Sequence, residues 1–111
     1  MQIIFESRNE TLIIKLFGEL DHHSSDYIRD KIDDEIDKKN FKKIVFDMGN
    51  LYFMDSSGIG VIIGRYKQIT SKGGKLAIAN LNPQIKRIYE ICGLRKIIPN
   101  YATSEIAIER L

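Results

Sequence analysis

The alternation of continuous apolar runs with helix-period stretches is the strongest constraint on this chain. Leu12-Ile13-Ile14 with Leu16-Phe17, then Ile44-Val45-Phe46, then Leu76-Ala77-Ile78-Ala79 read as inner strands buried on both faces. Between them the apolar residues recur at helical spacing. Ile28, Ile32 and Ile36 lie at i, i+4, i+8; Ile59, Ile62, Ile63 and Tyr66 at i, i+3, i+4, i+7. Strands alternating with amphipathic helices predict an α/β fold with a mostly parallel sheet under helical cover.

The punctuation places the elements. Ile3–Phe5 is a short strand, Arg8-Asn9-Glu10 a tight turn, and Thr11–Leu20 a longer strand. A helix over Ser24–Lys39 follows, capped by Ser24 or Ser25. The strand Lys42–Met48 is broken by Gly49-Asn50; the next helix runs to about Lys72 and stops at Gly73-Gly74. After the strand Lys75–Asn80, Asn82-Pro83 opens a helix whose stripe is Ile85, Ile88, Tyr89 and Cys92. Gly93 stops it and Leu94 packs back. Ile97-Ile98 forms a last strand, and Thr103 caps a helix through Leu111. The predicted order is ββαβαβαβα: four to five strands and about four helices in a single domain, 1–111.

Composition removes several function classes. At 43% hydrophobic and 29% charged, the 111 residues suit one globular core and argue against disorder. No apolar run approaches the ~20 residues of a membrane helix, and Met1–Glu6 lacks the features of a signal peptide. One cysteine, Cys92, expected buried and inert, fits a reducing cytoplasm. One Cys and two His are too few for a zinc cluster, so no metal site is expected. A net charge of +2 without interleaved aromatics is no nucleic-acid footprint. The charge is uneven, however. Residues 1–55 carry 8 Lys and Arg against 12 Asp and Glu; residues 56–111 carry 9 against 3. That asymmetry reads either as a surface for a charged partner or as the chance placement of solvated side chains.

Ligand sites in such folds gather beyond the carboxyl ends of the strands. Two polar segments fall there: Asp21-His22-His23-Ser24 and Asp55-Ser56-Ser57-Gly58. The second opens a helix, where unpaired backbone N–H groups and the helix dipole favour an anion. A serine there could carry a phosphoryl group, adding about −1.5 to −2 charges. The plainer reading makes Ser56 or Ser57 an ordinary N-cap. Gly60 and Gly64 sit inside the same helix at a cost of roughly 1 kcal/mol each against alanine. Either a partner or a neighbouring helix approaches them closely. Val61 is expected exposed, and Gly60, Val61 and Gly64 are the candidate docking flank. Asp21, His22 and His23 read as a polar loop lining the Ser56 site, with Asp21 bonding nearby backbone. A nucleophile elbow of the G-x-S-x-G kind is absent, as are dinucleotide and phosphate-loop spacings.

The run Phe53–Ile69, with Met54-Asp55-Ser56-Ser57-Gly58 at its start, resembles the signature of bacterial anti-sigma factor antagonists, which are STAS domains. Gly18–His23 resembles a second stretch of that family, and Pro83-x-x-Lys86-Arg87 followed by Gly93-Leu94 a third. The histidine pair is similar to the family's sporulation branch. The resemblance implies partner switching. The unphosphorylated chain binds an anti-sigma factor that is also a serine kinase, and so releases a sigma factor. That kinase, using its own ATP and magnesium, phosphorylates Ser56; a serine phosphatase reverses the step. Asp21, Asp55, Ser57 and Gly58 form the surroundings of the phosphosite, with Asp55 orienting the Ser56 hydroxyl or helping the kinase engage it. On this reading the chain is a kinase substrate and not an enzyme, holds no cofactor, and is a cytoplasmic monomer when free. Two other readings stand beside it: a STAS module binding a nucleotide or other ligand at the Ser56 end, and a small serine enzyme.

Overall fold

The computed structural model describes all 111 residues. Its elements are β1 (Gln2–Arg8), β2 (Thr11–Leu20), α1 (Ser25–Lys39), β3 (Lys43–Met54), α2 (Ser56–Ser71), β4 (Lys75–Ala79), α3 (Pro83–Ile91), a 3-10 turn (Leu94–Lys96), β5 (Asn100–Tyr101) and α4 (Ser104–Arg110). The strands form one sheet in sequential order β1-β2-β3-β4-β5. Only the β1–β2 pair is antiparallel; β2, β3, β4 and β5 run parallel. The expected α/β architecture of four to five strands and about four helices is therefore observed, with five strands and four helices.

β1 and β2 close on a two-residue loop, Asn9-Glu10, because Arg8 pairs with Thr11. Both loop residues have positive φ, 52° and 66°, the backbone twist that two-residue hairpins require. Consecutive parallel strands with crossovers of one hand bring their helices to one face of the sheet. Accordingly Ile28, Ile32 and Ile36 of α1, Val61, Ile62 and Ile69 of α2, and Ile85 and Tyr89 of α3 share one core with Leu12, Ile14, Ile44, Phe46, Leu76 and Ile78. The alternate strand residues Val45, Ala77 and Ala79 face the other way and are covered by Ala107 of α4. This two-sided cover explains why the inner strands are apolar throughout.

Four local expectations give way. Gly49-Asn50 does not end β3, which continues unbroken for 12 residues. β2 remains its partner up to Leu20 opposite Met54, absorbing the irregularity in register shifts at Lys15/Phe17 and Gly18/Glu19. Beyond Asp47, where β4 stops pairing, the Asn82 side chain takes over and donates to the Leu51 carbonyl at 2.7 Å. Ile97-Ile98 is not a strand. Ile98 is buried, but its N–H bonds the Leu94 carbonyl at 2.8 Å in a tight turn. Pro99 has no N–H to give a ladder, so pairing with β4 begins at Asn100. Cys92 lies on the extrapolated apolar stripe, yet α3 ends at Ile91 and the thiol is exposed. Neither Ser24 nor Ser25 caps α1 with its side chain; the Asp21 carboxylate accepts from the N–H groups of His23 and Ser24, at 3.0 and 3.1 Å.

Candidate functional site

Parallel register sets the site. Leu20 and Met54 are neighbours at the carboxyl ends of β2 and β3, so the loops that follow them meet. The Asp55 N–H donates to the Leu20 carbonyl at 3.4 Å. The Asp55 side chain then ties three segments together. One carboxylate oxygen accepts from the Gly58 N–H at 3.1 Å and caps α2. The other accepts from the His22 N–H at 3.0 Å and fastens the β2–α1 loop to the start of α2. The Gly58 N–H bond, with those of His22 and Ser57, holds the Asp55 carboxyl below its ordinary pKa, so Asp55 is an anion at neutral pH.

That arrangement revises the expected roles. Asp55 takes the capping duty that could have occupied Ser56 or Ser57. Both of its oxygens accept backbone N–H bonds, so Asp55 organises the backbone around Ser56. Ser56 is the first residue of α2 and is exposed; Ser57 is half-buried. Asp21 lies in the adjoining loop and bonds backbone, as its residue type suggests. His22 and His23 are exposed, with ring centroids 5.4 Å apart. Nowhere in the chain do three or more His, Cys, Asp or Glu converge into a metal-binding group.

Gly58 is the tight point of α2. A Cβ placed there would lie 2.1 Å from the Leu20 carbonyl oxygen, 2.8 Å from the Met54 side chain and 2.9 Å from that of Leu20. At Gly60 and Gly64 a Cβ would meet nothing within 4 Å. The close internal approach thus belongs to Gly58, and the other two glycines face open space. Val61 was expected exposed and is buried, 6% accessible. The reason is helix rotation. With Gly58 pressed on β2, the inward stripe of α2 becomes Gly58, Val61, Ile62 and Ile69, while Ile59, Ile63 and Tyr66 are half-buried at its edge. Arg65 also turns inward and meets Asp33 of α1 at 3.1 Å. Burial raises the Asp33 carboxyl above its ordinary pKa despite that guanidinium. Gly60 and Gly64 sit roughly 200–240° around the helix from Gly58. They form a strip of low relief without Val61.

Two aromatic residues beside the site stand in no candidate set read from the sequence. Tyr52 and Phe53 are 63% and 42% accessible at the end of β3. Their exposure follows from β3 outrunning β4, which no local pattern signals.

A STAS domain model matches residues 2–107. The chain belongs to the STAS domain family. It is 45% identical over 111 residues to the anti-sigma F factor antagonist of Paenibacillus polymyxa, covering 100% of this chain and 95% of that one. The structure of the anti-sigma factor antagonist SpoIIAA in its unphosphorylated form is similar at a TM-score of 0.76 and 33% identity, covering 98% of this chain and 96% of that one. For the phosphorylated form of the Bacillus cell fate determinant SpoIIAA the values are 0.74 and 35%, covering 98% of both chains. No helix of this STAS domain is long and apolar enough to cross a membrane.

Proposed function

We propose that this STAS domain is an anti-sigma factor antagonist controlled by phosphorylation of Ser56. The unphosphorylated chain binds an anti-sigma factor and thereby frees the sigma factor. The anti-sigma factor is also the serine kinase, and it supplies the ATP and magnesium. Its phosphoryl transfer to the Ser56 oxygen breaks the complex, and a serine phosphatase restores the hydroxyl. The chain is a substrate and binding module in this cycle, not a catalyst. It acts as a cytoplasmic monomer, on a sporulation sigma factor as the similarity to SpoIIAA suggests.

The observation that carries this reading is the exposed Ser56 at the start of α2, left free of capping because Asp55 performs it. The Gly58 and Ser57 N–H groups already serve Asp55, and the dipole of α2 favours negative charge at its start. A phosphoryl group there sets about two further negative charges beside an Asp55 carboxylate that is already ionised. Within a protein interface, one badly paired charge weakens binding by ~2–4 kcal/mol, or ~30- to 1000-fold. No rearrangement of the fold is needed. The accessible strip at Gly60 and Gly64 and the exposed Tyr52 and Phe53 provide the adjoining contact surface.

The test is reconstitution with the cognate anti-sigma kinase. Ser56→Ala binds the kinase and takes up no phosphate; Ser56→Asp binds less tightly than wild type. Phosphate located on Ser57 by mass spectrometry would overturn the site. Equal kinase affinity for the phosphorylated and unphosphorylated chains would overturn the switch.

A further inference from the structure

A concavity of about 640 Å³ opens at the end of the sheet away from Ser56, where α1 leads into β3 and α2 into β4. Lys39, Lys42, Lys43 and Lys75 line it, against a single acid, Glu10. Phe41 is its one hydrophobic lining residue. None of the four lysines is ion-paired; the lysines that are paired are Lys15 and Lys38. Lys43 and Lys75 are register partners on the adjacent strands β3 and β4. Like charges facing one another across a ladder destabilise a sheet, and no carboxylate relieves this pair. A helix-dipole explanation serves Lys39, in the last turn of α1, but not Lys42, Lys43 or Lys75, which lie outside the helices.

We infer that this cavity binds a small polyanion of the oligophosphate class, at a site separate from Ser56. The four lysines and Glu10 leave three uncompensated positive charges around one opening. Ammonium groups bind phosphate oxygens as point charges. The volume lies within the ~300–1,000 Å³ of small-molecule sites. The site does not depend on the switch at Ser56, so either can fail alone.

The test uses the full chain, titrated with inorganic tripolyphosphate at constant ionic strength and followed by calorimetry and backbone amide NMR. Saturable one-to-one binding is expected, with amide shifts centred on Asn40, Gly73 and Lys75. The double variant Lys43→Ala/Lys75→Ala is expected to weaken it roughly tenfold per lysine, the loss of one charge-assisted contact each. Lys39→Glu/Lys42→Glu does the same from the end of α1 and the loop after it, and covers the case in which the strand variant folds poorly. Lys67→Ala, on the exposed face of α2, leaves binding unchanged. A parallel titration with ATP separates the ligand sources. Tighter binding than tripolyphosphate assigns the site to nucleotides, and equal binding assigns it to the phosphate chain alone. Absence of saturation, undiminished binding in the folded double variants, or shifts centred on Ser56 and Ser57 would overturn the inference.

Discussion

Alanine at Gly58 is expected to destabilise the chain, whereas alanine at Gly60, two residues on in the same helix, is expected to stabilise it. Helix propensity favours alanine over glycine by roughly 1 kcal/mol at both positions. The surroundings decide the sign. At Gly60 the new methyl enters open space. At Gly58 it would overlap the Leu20 carbonyl at 2.1 Å, an atom of the β2 backbone that also accepts the Asp55 N–H. Relief requires the first turn of α2 to move away from β2. Overpacking of this kind costs about 1–3 kcal/mol, and the displaced Asp55 cap adds ~1 kcal/mol. After subtracting the propensity gain, the net loss is about 1–3 kcal/mol. For a domain of this size that corresponds to a fall of roughly 4–12 °C in Tm. Gly60→Ala is expected to raise Tm by a few degrees on the same scale. Thermal unfolding followed by circular dichroism measures both. A Gly58→Ala variant as stable as wild type, or a Gly60→Ala variant equally destabilised, would refute the assignment of the tight contact to Gly58.

Three further perturbations probe other parts of the molecule. The Asp55 carboxyl is held below its ordinary 3.8 in the fold, so its ionised form stabilises above that value and the contribution fades as pH falls through the lower folded pKa. Asp55→Asn is therefore less stable than wild type at pH 7, and urea titrations of the two converge in strong acid. Tyr89→Phe removes the buried hydroxyl that donates to the Ile98 carbonyl at 2.5 Å and accepts from the Asn100 side chain at 3.1 Å. Leaving that carbonyl unpaired is expected to lower the unfolding free energy in urea by ~1–3 kcal/mol. Arg65→Met removes the ion-pair partner of Asp33, which is 34% accessible; the expected loss is ~1–2 kcal/mol, below that of a fully buried pair. The raised Asp33 pKa means the fold prefers its protonated form, so this loss shrinks as pH falls, which urea titrations at pH 7 and pH 4 would measure.

Elements that rest on long-range periodicity were legible in the sequence, because burial on one face or two imposes a repeat that the residues must carry. The apolar runs at Leu12, Ile44 and Leu76 became β2, β3 and β4, and the stripe of Ile28, Ile32 and Ile36 became the inner face of α1. Asn82 and Thr103 were legible as caps since a side-chain acceptor three residues ahead of a free N–H is a local arrangement, at 2.9 Å to Ile85 and 3.1 Å to Ile106. The polar segments around Asp21 and Ser56 were placed at one end of the sheet by strand direction alone. Tertiary contacts decided the rest. Pressure of Gly58 on Leu20 fixed the rotation of α2 about its axis, burying Val61 and leaving Gly60 and Gly64 open. The length of β3 depended on partners 31 to 34 residues away in either direction, β2 and Asn82, and that length exposed Tyr52 and Phe53. Asp55 gained its second bond, to His22, only when two loops 33 residues apart were brought together. Periodicity records which face of an element is buried on average; the angle at which that element docks, and what its ends touch, is set by the atoms across the interface.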